Sequence, residues 1–179
     1  FENNDRPGIM LASAMRSYVN RWAATPAQRV AIFTSCDDGH RTAQDLHAKG
    51  VKIAAVIDTR ADTPKSMDYE VLAGAVVTNT KGRLGLTFVE VKLADGSSRT
   101  LECGALGVSG GWNPNVHLTC HQRGRPLWRD DIAAFTPGEN LPEGMSVAGA
   151  ATGDLSTHGA LLSGAEGAAK ALGIKPADV

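Results

Sequence analysis

The stretch RVAIFTSCDDGHRTAQDLHAKG, Arg29 to Gly50, decides the fold. Val30–Thr34 is an apolar run bounded by polar residues, the length of one buried strand. A tight loop follows, then a helix predicted over His40–Lys49, with Asp37 or Asp38 as its N-cap and Gly50 as its stop. Directly beyond lies Val51–Ile57, almost continuously apolar, as a strand in a parallel sheet covered on both faces should be. It runs into Asp58, an acid about 20 residues past the loop, so the order reads as the opening of a Rossmann-type β-α-β unit. The loop itself departs from that unit's usual ligand chemistry. Where a dinucleotide site has Gly-x-Gly-x-x-Gly, this chain has Thr34-Ser35-Cys36-Asp37-Asp38-Gly39.

The departure has a physical consequence. Asp37 and Asp38 fall where a pyrophosphate would meet the helix N-terminus. A carboxylate about 4 Å from a phosphate oxygen costs roughly 4 kcal/mol of repulsion at an effective dielectric near 20. Side chains at Thr34 and Cys36 block the close backbone approach that glycine permits. The same acids satisfy a helix terminus without any ligand. Cys36, Asp37, Asp38, Gly39 and Asp58 therefore read as a degenerate, vacant nucleotide loop, with Asp58 a strand-end turn residue. Beside two carboxylates the Cys36 thiolate is disfavoured, which argues against a nucleophile.

Before this unit, Phe1–Gly8 is polar turn chemistry. From Ile9 to Trp22 the apolar residues Leu11, Met15, Tyr18, Val19 and Trp22 recur at threes and fours, predicting an amphipathic helix that packs on a sheet. After it, a polar loop over Thr59–Asp68 leads to a helical turn at Tyr69–Leu72 and a short strand at Ala75–Thr78. Leu84–Leu93 and Ser98–Cys103 flank Asp95-Gly96, a strong hairpin signal, so an antiparallel meander is inserted into the parallel unit.

Ala105–Val108 is a buried strand that runs into Ser109-Gly110-Gly111-Trp112-Asn113-Pro114. Glycine-rich turns beyond a strand's carboxyl end are where open α/β sheets place ligands. A short helix at Val116–His121, an extended stretch at Arg123–Trp128 and a helical turn within Arg129–Phe135 follow. Ser146–Ala148 is a last strand before Gly149-Ala150-Ala151-Thr152-Gly153-Asp154, and a helix over Thr157–Leu172 ends the pattern. A Gly-x-x-x-Gly-Asp turn before a helix suits a carboxylate on ribose hydroxyls, with backbone N–H groups near phosphates.

Composition narrows the class. The 179 residues are 42% hydrophobic and 21% charged, the balance of an α/β domain rather than a disordered chain. A formal net charge of −1 without a basic run leaves no footprint for nucleic acid. No apolar run reaches the length of a membrane span. Three cysteines without CxxC spacing fit a reducing cytoplasm. His117, Cys120 and His121 cluster without an evident fourth ligand, so no metal site is expected. No serine, histidine and aspartate order stands out as a catalytic triad, and no catalytic residue is assigned. Beginning at Phe1 rather than methionine, the chain is expected to be an internal piece of a longer polypeptide.

The order of elements resembles the NAD(P)H-domain region of two-dinucleotide flavoprotein reductases. At finer grain the words Asn4-Asp5-Arg6-Pro7-Gly8, Tyr18-Val19-Asn20-Arg21, Val108-Ser109-Gly110-Gly111-Trp112-Asn113-Pro114, Gly124-Arg125-Pro126 and Val147-Ala148-Gly149-Ala150 resemble the alpha subunit of heterotetrameric sarcosine oxidase. That resemblance implies an enzyme oxidising sarcosine to glycine, with tetrahydrofolate and oxygen as acceptors. It implies NAD in the alpha subunit, FAD and FMN elsewhere in the complex, and beta, gamma and delta subunits as partners. It also implies cofactor contacts at Gly110, Gly111, Asn113 and Pro114, and at Gly149, Gly153 and Asp154.

The expected architecture is α/β: a Rossmann-like three-layer domain with a central parallel sheet and an inserted antiparallel β-meander. Pieces of a neighbouring FAD/NAD-type domain flank it. Residues 1–28 are the lead-in, 29–145 the NAD(P)-type domain, and 146–179 the strand, turn and helix that return to the preceding domain. Three functions stay open. The first is a non-catalytic nucleotide-domain piece of the alpha subunit. The second is an NAD(P)H-binding domain of a flavin-dependent reductase. The third is a structural or interaction module.

Overall fold

The computed structural model describes residues 1–176. The chain divides into two compact units, the first Phe1–Gly111 and the second from Trp112 onward. In the first, Ile9–Leu11 is a short strand (β1), and the helix begins only at Ala12 and runs to Trp22 (α1). The single helix expected from Ile9 is thus corrected. Ile9 and Met10 take ladder partners at Leu106 and Gly107, and sheet pairing outweighs local propensity there.

The deciding stretch folds as read, with shifted ends. Arg29–Thr34 is β2, Asp37–Ala48 is α2 and Lys52–Asp58 is β3. Gly50 adopts φ +82°, its N–H bonds the His47 carbonyl at 2.8 Å, and the Val51 N–H bonds that of Leu46 at 3.0 Å. This paired closure is a Schellman motif, so Gly50 ends the helix as expected. The N-cap is corrected. Cys36 holds that position without a side-chain cap bond, and Asp37 and Asp38 lie in the helix's first turn. The predicted helical turn at Tyr69–Leu72 is corrected as well: Val71–Ala73 is a strand (β4), pairing in parallel with Val56–Asp58.

The meander follows as Val76–Lys81 (β5), Phe88–Lys92 (β6) and Ser98–Glu102 (β7), a three-stranded antiparallel sheet. Ala105–Ser109 (β8) returns to the middle of the parallel sheet, whose order is β1-β8-β2-β3-β4. All its pairings are parallel.

Two apolar layers bind these parts together. On one side Met15 and Val19 of α1 and Ala43 and Leu46 of α2 pack with Val30, Ile32, Val56 and Ala105 of the sheet. On the other, Val77, Val89, Val91 and Leu101 of the meander pack with Ala31, Ala55, Ile57 and Leu106. Residues alternate between the faces along β2, as a strand's period of two requires. In β3 the pairing slips between Val30 and Ala31, leaving Ala54 extra, and Ala54 and Ala55 both join the meander side. The first unit is therefore a three-layer sandwich of helices, parallel sheet and antiparallel sheet.

In the second unit a kinked 3-10 segment covers His117–Arg123. Leu127–Arg129 (β9) and Ala134–Thr136 (β10) form an antiparallel pair, with Trp128 opposite Phe135. The helical turn expected within Arg129–Phe135 is thereby corrected, because Ala134–Thr136 finds a ladder partner. The strand expected at Ser146–Ala148 does not form, and a 3-10 turn spans Gly149–Thr152. The last helix, Thr157–Leu172 (α3), matches the sequence reading.

Candidate functional site

The parallel register sets three carboxyl ends side by side: Thr34 of β2 lies opposite Asp58 of β3 and Ser109 of β8. The loop leaving β2 is stitched to both neighbours. Ser35 donates its backbone N–H to the Ser109 carbonyl at 3.1 Å, and Thr59 donates to the Thr34 carbonyl at 3.1 Å. Thr34, at the place of the fingerprint's first glycine, is buried. Its Oγ1 accepts the Cys36 N–H at 3.1 Å and donates to the Cys36 carbonyl at 2.8 Å. Cys36, at the second glycine's place, sets its sulfur 3.5 Å from the Ser109 hydroxyl. Gly39 keeps the third glycine's task of close helix–strand packing. A Cβ there would lie 2.4 Å from Thr34 Cβ and Oγ1.

The acids of the loop are held by a cation from the next segment. Asp58 is fully buried. Its Oδ2 meets His40 Nε2 at 2.8 Å and Arg60 Nη2 at 2.8 Å, while its Oδ1 accepts the Arg60 backbone N–H at 2.9 Å and Arg60 Nε at 3.2 Å. The Arg60 Nη2 also reaches Asp37 Oδ1 at 2.9 Å. Asp38 pairs with Arg41 at 3.6 Å, one helical turn along. Burial pushes the Asp58 carboxyl up, but the hydrogen bonds from Arg60 and His40 together prevail, and its pKa lies below the ordinary value. The bond to Asp58 in turn raises Arg60 further above the usual guanidinium range.

A dinucleotide site would draw on the same groups. The ribose-binding acid of such a site must offer a carboxylate oxygen to a ligand hydroxyl, and both oxygens of Asp58 are occupied within the chain. The helix N-terminus already carries Asp37, so a phosphate would meet a carboxylate first.

Gly110 and Gly111 close the first unit just beyond β8, and a Cβ on Gly111 would lie 3.8 Å from the Ser35 hydroxyl. In the second unit Asn113 is exposed and Pro114 buried. The turn from Gly149 to Asp154 is closed on itself. Gly149 donates to the Ser163 hydroxyl of α3 at 2.8 Å, and the Asp154 N–H reaches the Gly149 carbonyl at 3.2 Å. The Thr152 hydroxyl lies 2.8 Å from the Gly149 carbonyl and 3.2 Å from the Asp154 carboxylate. Asp154 is exposed, and Ser156 caps α3 by accepting the Gly159 N–H at 3.0 Å.

The structure therefore brings Cys36, Asp37, Asp38, Gly39 and Asp58 together at one end of the parallel sheet, with Gly110 and Gly111 just past β8. Asn113, Pro114, Gly149, Gly153 and Asp154 belong to the second unit. Sequence reasoning missed Arg60, His40 and the two-way bonding of Thr34. A cation two residues past a strand-end acid was the available signal for Arg60. Among the described residues no group of three or more His, Cys, Asp or Glu is placed to hold a metal ion, and no helix is long and apolar enough to cross a membrane.

No protein-family model matches the chain. It is 40% identical to a sarcosine oxidase subunit alpha of Rhizobium meliloti (strain 1021), across 96% of this chain and 17% of the relative. It is 38% identical to a sarcosine oxidase subunit alpha of Corynebacterium sp. (strain U-96), across 92% of this chain and 18% of the relative. The chain thus spans less than a fifth of the curated relatives it matches. Among solved structures, an L-proline dehydrogenase from P. horikoshii superposes with a TM-score of 0.61 at 19% identity, over 99% of this chain and 33% of that one. Lactococcus lactis thioredoxin reductase superposes with a TM-score of 0.62 at 16% identity, over 93% of this chain and 57% of that one. At those identities the likeness is one of fold.

Proposed function

Given that the chain is similar over nearly its whole length to one segment of sarcosine oxidase alpha subunits, we propose that it serves as a non-catalytic nucleotide-type domain of such a subunit. The complete assembly oxidises sarcosine to glycine with tetrahydrofolate and oxygen as acceptors, using FAD and FMN outside this segment and joining alpha to beta, gamma and delta subunits in the cytoplasm. NAD is the alpha subunit's own cofactor. This segment borders it through Gly110, Gly111, Asn113 and Pro114 and through Gly149, Gly153 and Asp154, and residues 146–179 return to the neighbouring FAD/NAD-type domain. The loop from Cys36 to Gly39 stays vacant.

One observation supports the vacant loop above the others. Arg60 joins Asp37 to Asp58, so the acid that would hold a ribose and the helix end that would hold a phosphate satisfy each other.

Calorimetric titration of the full-length subunit containing this segment with NAD⁺ tests the assignment. Asp154→Asn is expected to weaken binding at least tenfold, a loss of about 1.4 kcal/mol. Asp37→Ala is expected to leave it unchanged. The opposite pattern would move the cofactor into the first loop and favour the NAD(P)H-binding reductase domain. No NAD⁺ binding in the parent subunit would favour the structural module.

A further inference from the structure

The two ends of the parallel sheet differ in chemistry. Asp37, Asp38 and Asp58 stand at the carboxyl end, where Arg60 and Arg41 answer them. Each helix links parallel strands, so it returns from their carboxyl ends to their amino ends. Trp22, Ala23 and Lys49 therefore come to the amino end, with the first residues of β2 and β3. Two hollows open there and share Gly50 and Val51. One, of about 240 Å³, is lined by the apolar side chains of Val19, Ala23, Ala27 and Val51 and by Lys49. The other, of about 320 Å³, is lined by Arg29 and Lys52, and Asp68 is its single acid. Among the described residues Arg29, Lys49 and Lys52 have no ion-pair partner. Trp22, the last residue of α1, is 62% exposed, and its ring lies 5.3 Å from that of the half-exposed Tyr18.

An apolar hollow, an aromatic pair and three unpaired cations at one end suit an apolar segment bordered by carboxylates. Burial of its apolar part supplies the attraction, and acids facing Lys49 and Lys52 select the segment and fix its register. The surface is small. Separate chains need about 800 Å² on each partner for a stable contact. A segment of the same polypeptide meets its site at an effective concentration on the order of millimolar, so a smaller patch suffices. This chain covers 17% and 18% of the two sarcosine oxidase alpha subunits described above, so most of such a subunit lies outside it. We infer that the amino end of the parallel sheet is a docking surface for an acidic, apolar segment of the same subunit, outside these 179 residues. This goes beyond the cofactor assignment and rests on the reading of the chain as one domain of a longer subunit.

Lysine acetylation with sulfo-N-hydroxysuccinimidyl acetate, followed residue by residue by mass spectrometry on the full-length subunit, reads this surface at Lys49 and Lys52. Lys92 of β6, exposed and also without an ion pair, is the internal reference. Lys49 and Lys52 are expected to react roughly tenfold more slowly than Lys92 at every protein concentration, as in a site open about a tenth of the time. Trp22→Ser, which changes an exposed side chain, is expected to return both to the Lys92 rate. Equal rates at all three lysines before substitution would overturn the docking surface, and so would protection that survives Trp22→Ser. Protection that appears only when the other subunits are added would give the surface to one of them. Protection that grows with subunit concentration would give it to a second copy. Either result overturns the assignment to the same subunit. NAD⁺ binding is read separately, in the titration of Asp154→Asn, so a failed cofactor assignment leaves these outcomes distinct.

Discussion

Gly39 and Asp58 show how much a single position carries. A methyl group at 39 would stand 2.4 Å from the Cβ and Oγ1 of Thr34. Both belong to a buried strand end that cannot yield cheaply, so Gly39→Ala is expected to destabilise the domain by about 1–3 kcal/mol, read as a lower urea midpoint. Asp58 ties stability to acidity. Its folded-state pKa is lowered, so its contribution is fully present above the ordinary carboxylate value of about 3.9 and is lost as pH falls through the lower folded value. Melting temperature should therefore lose its Asp58 contribution on acidification below about pH 4. Asp58→Asn should flatten that part of the profile. The sequence marked both positions as members of a nucleotide loop. It did not show that Thr34 bonds Cys36 in both directions, nor that Arg60 and His40 occupy Asp58, because those partners meet only after β2, β3 and α2 have packed.

Among the elements, those whose signals are local were legible. Gly50 ends α2 with left-handed backbone and open space around its Cβ position. Gly50→Ala is accordingly expected to cost only the backbone penalty, roughly 1–2 kcal/mol, with no clash added, as a thermal melt would show. The Asp95-Gly96 hairpin and the Thr157–Leu172 helix likewise stood where turn chemistry and periodicity put them. Strands of three residues were misread. Ile9–Leu11, Val71–Ala73 and Ala134–Thr136 are strands because distant segments pair with them, at Leu106–Val108, Val56–Asp58 and Leu127–Arg129. Three residues are too few for a period of two to separate from a period of 3.6. The N-cap of α2 moved for a related reason, since the Asp37 carboxylate pairs with Arg60 rather than capping its own helix.

Across the whole molecule, the α/β class, the parallel sheet and the antiparallel insertion were present in the order of the elements, and the fold likeness to the proline dehydrogenase and thioredoxin reductase structures agrees with them. Residues 1–28 contribute β1 and α1 to the first compact unit. The sequence by itself determined the β-α-β opening, the meander, the Gly50 stop of α2 and the departure of the loop from the Gly-x-Gly-x-x-Gly pattern, because periodicity, turn chemistry and glycine content act between near neighbours. Only the tertiary structure decided that the loop's acids are answered from within. The Asp37–Arg60–Asp58–His40 contacts need α2 and the exit of β3 brought together over one end of a parallel sheet, and charge pairing at 3 Å depends on that placement rather than on order along the chain.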